Sequence, residues 1–312
     1  MSEKLVIIAG PTASGKSNLA LSVAERFDGE IVNADSMQVY RELRVITARP
    51  SVEDEARAPH HLYGFLPGGE RFSAARWCEL AKPCIKDIWG RGRMPILVGG
   101  TGLYIRALLE GLAPVPEIPA AIRTRAARLM NEHGALYLHN ELERIDRETA
   151  ARLAPNDRQR ILRAWEVVTA TGRSLSAWHR DPREGGIAEL GSDIRINRFV
   201  LDPPRDWLYA RCDARLKVML QSGGKQELAA LAKLKLDPGL PVMKALGVHQ
   251  LLPWIRGEEA LGEALVAAQT ATRRYVKRQM TWFRNQFSDW TVLREQQSEK
   301  KINEVFSFIR QS

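Results

Sequence analysis

The stretch LVIIAGPTASGKSNLALSVAERF, residues 5–27, decides how the chain is read. Five apolar residues, Leu5–Ala9, run directly into Gly10-Pro11-Thr12-Ala13-Ser14-Gly15-Lys16-Ser17. The residues that follow, Ser17–Arg26, read as a helix. A buried strand, a glycine-rich turn and a helix, in that order, form the setting in which G-x-x-x-x-G-K-[ST] cradles phosphate. Successive amide N–H groups and the amino end of the helix turn toward one anion. Lys16 adds a full positive charge, and the Ser17 hydroxyl is suited to ligate Mg²⁺.

Outward from the loop, Glu30–Ala34, Met94–Val98 and Arg195–Leu201 are further short apolar runs with strand character. Strands alternating with helical segments imply βαβ units and a parallel sheet. LAPVPEIP (residues 112–119) carries three prolines and reads as a linker, and RDPREGG (residues 180–186) as a second hinge. No strand pattern occurs between Ala120 and Ala177. There, Asn156 or Asp157 can cap a helix whose stripe is Ile161, Leu162, Trp165 and Val168, and Gly172 ends it. The expected architecture is therefore an α/β, P-loop NTPase-like core over residues 1–113 and 189–312. A small all-helical insertion domain, residues 114–188, interrupts it. Most of the chain after the last strand, as far as Ser312, reads as helix.

Composition is consistent with this picture. The 312 residues are 45% apolar and 27% charged, which suits a folded globular chain. No apolar run approaches the ~20 residues that cross a bilayer. The opening MSEKLVIIAG lacks the basic start and cleavage site of a signal peptide, so a cytoplasmic location is expected. Cys78, Cys84 and Cys212 have neither chelating spacing nor an even number, which argues against disulfides and structural zinc. Forty-six basic against 37 acidic residues leave a net charge of +9, compatible with a polyanionic partner.

Many P-loop proteins hold Mg²⁺ with an Asp at the end of a second strand. Here PILV instead runs into Gly99-Gly100-Thr101-Gly102, and the acid, Asp35, follows another strand in IVNADSMQVY. Ligands of open α/β sheets bind beyond the carboxyl ends of the strands, so Asp35 and Thr101 should both reach the ligand of the loop. The alternative for Asp35 is that it merely caps a turn or the next helix. On these residues alone a small-molecule kinase and a non-catalytic nucleotide sensor stay open.

GPTASGKS, NADSMQVYR, HHL, PILVGGTGLYI, NDRQRILRAWEV and KRQMTWFRNQ, in this order from Gly10 to Gln286, resemble the tRNA dimethylallyltransferase (tRNA isopentenyltransferase) family. The resemblance implies transfer of a dimethylallyl group from its diphosphate to N6 of the adenine 3′-adjacent to the anticodon. It further implies that residues Gly10 to Ser17 hold the donor diphosphate with Mg²⁺, in a loop often described as nucleotide- or ATP-binding. Lys16, Asp35 and Thr101 become the catalytic set, with Asp35 the general base for the N6 proton and Thr101 helping to hold diphosphate and metal. Asp35, Ser36, Met37, Gln38 and Thr101 would lie along the adenine. Arg123, then Gln159, Arg160, Ile161, Leu162 and Arg163, then Lys277, Arg278, Gln279, Trp282 and Arg284 match tRNA-contacting stretches. Arg211, in YARCDARLKVM, is similar in placement to an arginine that steadies the diphosphate.

The partners implied are a tRNA anticodon stem-loop and dimethylallyl diphosphate, with no membrane and a monomeric enzyme. Two segments depart from the family pattern. Ser222–Glu227 stands where a Gly, an apolar residue and an acidic pair are usual, and Gly247-Val248-His249 replaces a Gly-Tyr-basic motif. In Ala271–Phe287, Val276, Met280, Phe283 and Phe287 share one helical face, while Arg274, Lys277, Arg278 and Arg284 form a basic one. Vicinal His60 and His61 would point to opposite sides of an extended chain, so joint chelation is not expected.

Overall fold

The computed structural model describes residues 3–311. Met1 and Ser2, which begin the stretch read for a signal peptide, and Ser312, the end of the expected helical region, lie outside the described residues. Six strands form one parallel sheet: β1 (Glu3–Ala9), β2 (Gly29–Asn33), β3 (His60–His61), β4 (Met94–Gly99), β5 (Ile194–Leu201) and β6 (Thr291–Leu293). Their spatial order is β3-β2-β4-β1-β5-β6. β1 is central, and its residues Leu5–Ala9 are fully buried. A parallel strand covered on both faces must be apolar throughout, which is why it reads as an unbroken run rather than as alternation.

By contact density the chain divides into two compact units, Met1–Leu108 with Ile187–Ser312, and Leu109–Gly186. The first unit carries the sheet. α1 (Lys16–Phe27) and α13 (Ser298–Gln311) cover one face, where Val6, Ile8, Leu19, Val23, Val305 and Ile309 share a core. α2 (Val52–Arg57), α3 (Ala74–Gly90) and α4 (Gly102–Glu110) follow β2, β3 and β4, the second unit beginning near the end of α4. After β5 come α9 (Arg205–Met219), α10 (Lys225–Lys233), α11 (Val248–Ile255) and α12 (Leu261–Gln286). A second apolar cluster joins Val39, Tyr40, Leu43 and Ile46 to Leu228, Leu231, Val248 and Leu251.

The second unit is helical: α5 (Ala120–Ile145), α6 (Arg147–Ala150), α7 (Arg158–Thr171) and α8 (Leu175–Trp178). Its boundaries fall at 109 and 186 rather than 114 and 188. Leu112 and Glu184 exchange both backbone hydrogen bonds, at 2.8 and 2.9 Å, so the proline-rich stretch lies inside the unit. Asp157, not Asn156, caps α7 through the Arg160 amide at 3.2 Å. Ile161 and Trp165 are buried with Met130, Leu138 and Leu142.

β3 and β6 escape sequence reading because two or three residues carry no periodicity. β2 also holds a buried acid, Glu30. Glu30 is 2% exposed. Its carboxylate lies 2.6 Å from His61 Nε2, 2.7 Å from Arg91 and 3.3 Å from Arg93. His60 turns away, its Nδ1 2.8 Å from the Ala58 carbonyl. Burial alone would raise the Glu30 carboxyl, but the hydrogen bonds from Arg91, His61 and Arg93 outweigh it and hold the group below its ordinary 4.5. A depressed carboxyl stabilises the fold above the unfolded-state value and loses that contribution as pH falls through the folded value. Glu30→Gln is therefore expected to cost on the order of 2 kcal/mol at pH 7. In urea denaturation the gap from the parent should narrow progressively below pH 4.5; an equal gap at pH 7 and pH 3.5 would contradict this assignment.

Candidate active site

The loop between β1 and α1 closes around its own backbone. Ala13 and Gly15 both take positive φ, 63° and 93°, which turns neighbouring amides toward a common concavity. Lys16 Nζ folds back to donate to the Pro11 carbonyl at 2.7 Å. Ser14 is fully buried, and its Oγ has no hydrogen-bond partner. An orphaned buried hydroxyl is a group that an anion would satisfy. Burial draws the Lys16 ammonium down to about 8; the Asp35 carboxylate opposes the shift, and Arg215 adds to it.

Asp35 arrives from the next strand but one. Gly99, at the end of β4, lies so close to β2 that a Cβ on it would fall 2.0 Å from the Ala34 carbonyl oxygen, so only glycine permits the approach. Thr101 N donates to that same carbonyl at 3.1 Å, and Thr101 Oγ1 accepts from Ser36 N at 2.9 Å. Asn33, fully buried, accepts from Asp35 N at 2.8 Å and donates to the Leu62 carbonyl at 2.9 Å. The Asp35 Oδ1 accepts from Met37 N at 2.9 Å, so the acid does cap a turn. Oδ2 lies beside Gly100. A Cβ on Gly100 would lie 3.4 Å from Asp35 Oδ2 and 3.5 Å from the carbonyl oxygen of Gly10, the first loop residue. The acid and the anion loop therefore flank the same glycine. Burial raises the hydroxyls of Tyr63, Tyr104 and Tyr275, and the Asp35 charge raises them further.

Two helices clamp this pair of strand ends. From α12, Gln279 is 6% exposed. Its Oε1 accepts from Thr12 N at 3.0 Å, and its Nε2 donates to the Gly100 carbonyl at 2.9 Å. From α9, Arg211 Nε donates to the Ala13 carbonyl at 3.1 Å, and its guanidinium lies 4.5 Å over the Trp207 ring. Arg215, also from α9, donates to the Thr12 hydroxyl. Gln279 is thus not a surface contact for RNA but a buried bridge, because its amide can satisfy one donor and one acceptor at once. Arg215 was missed in the sequence. Its only signal is its spacing of four from Arg211, which puts both on one face of α9.

The donor set suits a hard cation shared with a ligand. Ser17 is exposed at the start of α1, and Thr101 and Asp35 add oxygens across the loop. Among the described residues no three His, Cys, Asp or Glu side chains converge on one point. That combination fits Mg²⁺, which keeps waters and is held by one or two protein oxygens plus phosphate oxygens.

The remaining expected contacts separate by burial. Ile161 is fully buried and Leu162 is packed against the same core, so these two residues build the second unit rather than its surface. Gln159, Arg160 and Arg163 are exposed on α7. Arg123 lies 3.2 Å from Glu117. Lys277 and Arg278 are exposed on α12, whereas Arg284 is engaged by Asp202 at 3.0 and 3.1 Å. Trp282 is spent internally: its ring covers Gly102, where a Cβ would meet it at 1.9 Å, and meets Phe283 and Phe287 edge-on.

A family model described as IPP transferase matches residues 38–286, and one described as isopentenyl transferase matches residues 3–63. The tRNA dimethylallyltransferase of Rhodospirillum rubrum is 52% identical, with 99% of this chain and 94% of that protein covered. That of Rhodospirillum centenum is 53% identical over 91% of this chain and 89% of its own length. Among solved structures, the tRNA isopentenylpyrophosphate transferase of Bacillus halodurans superposes with a TM-score of 0.70 at 34% identity, covering 99% of this chain and 96% of that one. A eukaryotic dimethylallyltransferase acting on tRNA gives 0.80 at 26% identity, covering 99% and 80%.

Two outcomes follow from the clamp and from the buried ammonium. Gln279→Leu leaves the Thr12 amide and the Gly100 carbonyl unpaired, and should cost about 1–3 kcal/mol for each group not reached by water. Denaturation should show the loss, and calorimetry should show weaker pyrophosphate binding; parent-like values for both would remove the bridge from the site. Lys16 loses its charge above about pH 8, so pyrophosphate affinity should fall as pH rises through that value. Lys16→Ala should abolish the pH dependence, and an unchanged slope in that variant would assign it to another group.

Proposed function

The chain belongs to the IPP transferase family, and on that premise we propose that it is a tRNA dimethylallyltransferase. It transfers a dimethylallyl group from dimethylallyl diphosphate to N6 of the adenine 3′-adjacent to the anticodon and releases diphosphate. The observation that supports this reading most directly is the pairing of Asp35 Oδ2 with the anion loop across Gly100.

The exocyclic amine of adenine is a weak nucleophile because its lone pair is delocalised into the ring. Asp35 accepts a proton from N6 as the new N–C bond forms at the allylic carbon. The C–O bond to diphosphate breaks, and its electron pair leaves with the diphosphate oxygen. The loop amides, Lys16 and Arg211 face the charge that develops there. Mg²⁺, held by Ser17 and Thr101 together with the diphosphate, would supply further charge neutralisation to the leaving group. Holding donor and base in line lowers the barrier further.

An anticodon loop offers an unpaired base, so bringing the adenine to Asp35 costs little unstacking. Lys277 and Arg278 in the first unit, and Arg158, Arg160 and Arg163 in the second, are the exposed cations best suited to tRNA phosphates. We place the enzyme in the cytoplasm as a monomer, one set of domains serving one tRNA.

Incubation with unmodified tRNA, labelled dimethylallyl diphosphate and Mg²⁺, followed by mass analysis of the nucleosides, should reveal a prenylated adenosine. Asp35→Ala should slow transfer by about 10²–10⁴-fold while tRNA affinity changes little. Transfer at the parent rate would take Asp35 out of the mechanism.

A further inference from the structure

Residues 41–50 form an irregular loop shortly after Asp35, and their backbone converges on one side chain. Glu227, in the first turn of α10, accepts from Val45 N at 2.9 Å and from Arg44 N through one oxygen, and from Ile46 N at 2.8 Å through the other. The chain delivers Glu227 by a distorted turn. Gly223 takes φ 109°, and a Cβ on Gly224 would lie 2.5 Å from the Met219 carbonyl oxygen and 3.0 Å from Ile46 Cδ1. This is the Ser222–Glu227 segment whose composition departs from the family pattern; Glu227, its one acid, is committed to the loop. A carboxylate that collects three amide donors is a strong, charge-assisted anchor.

The anchored loop in turn fixes Gln38. Ala48 N donates to the Val45 carbonyl at 3.0 Å, and Thr47 Oγ1 donates to the Leu43 carbonyl at 2.7 Å. The carbonyls of Thr47 and Ala48 then accept from Gln38 Nε2 at 2.8 and 2.9 Å. With both amide hydrogens used on carbonyls, the side chain has only one sensible orientation, and its Oε1 is left as an acceptor. No partner for Oε1 occurs among the described residues, and Gln38 lies three residues beyond Asp35.

We propose that Glu227 is a positioning residue for base recognition: through the loop it holds Gln38 with its amide oxygen presented to an N–H donor on the edge of the target base. This rests on the prenyl-transfer reading above. An acceptor fixed in this way favours a base edge bearing an amine and opposes one bearing a carbonyl, since two acceptors would face each other.

Steady-state kinetics on an anticodon stem-loop RNA test the proposal. Glu227→Gln puts an amide N–H against one of the three backbone donors and should raise KM for the RNA about tenfold, the scale of one lost charge-assisted contact, with KM for dimethylallyl diphosphate unchanged. Gln38→Ala should show the same split, and the double variant should be no worse than the more impaired single. Multiplying losses in the double variant, or a change confined to the donor KM, would overturn the proposal. Ala48 sits at φ 53°, so Ala48→Val strains the same loop without touching Glu227 and serves if Glu227→Gln fails to fold. It should reproduce the RNA-specific KM effect and the same non-additivity with Gln38→Ala; a parent-like KM would again overturn the assignment. Failure of the parent enzyme to prenylate the RNA would defeat the prenyl-transfer reading itself. Prenylation by the parent combined with independent variants would defeat only the positioning role.

Discussion

Three parallel strands end at one level, and the site follows from that alignment. Ala9 of β1 stands opposite Gly99 of β4, and Asn33 of β2 opposite Val98. The chain emerging from each strand therefore enters the same crevice: the anion loop from β1, Asp35 from β2 and Thr101 from β4. The spacing tolerates no side chain at Gly99, where the Ala34 carbonyl occupies the volume of a β-carbon. Gln279 then ties the first of these segments to the last with a single buried amide. A one-residue slip between β2 and β4 would part Asp35 from the loop and turn buried side chains to the wrong face.

The crevice is rich in positive charge. Lys16, Arg211 and Arg215 converge on the loop, with Asp35 beside them. Burial of the Lys16 ammonium, with the Arg215 charge nearby, is why its proton is held less tightly than usual. A diphosphate would satisfy these donors and the Ser14 hydroxyl together.

The net positive charge of the chain is not uniformly available to a polyanion. Arg273 is paired with Asp213 and Arg284 with Asp202, and Arg91 and Arg93 are drawn to Glu30. The exposed cations of α7 and α12 are a smaller set than the composition suggests. Within each of those helices the apolar stripe is what places them: Ile161 and Trp165 turn inward on α7, Val276, Met280 and Phe283 on α12, and the arginines and lysines between them face outward.

Local chemistry made much of this legible in advance. The anion loop, the central strand, the cap and stripe of α7 and the apolar face of α12 depend on residues within a few positions of one another, so the linear chain carries them. So does the position of an acid, Asp35, after β2 where none follows β4. The roles of Gln279, Arg215 and Glu227 depend instead on partners 267, 203 and up to 183 residues away. A glutamine in a basic, amphipathic helix reads as a surface residue until folding sets its amide between Thr12 and Gly100. The sequence by itself determined the long elements, the loop after β1 and the acid that follows β2. Only the tertiary structure decided which polar side chains are consumed inside the molecule, because a buried donor or acceptor takes whichever partner the packing of distant elements brings to it.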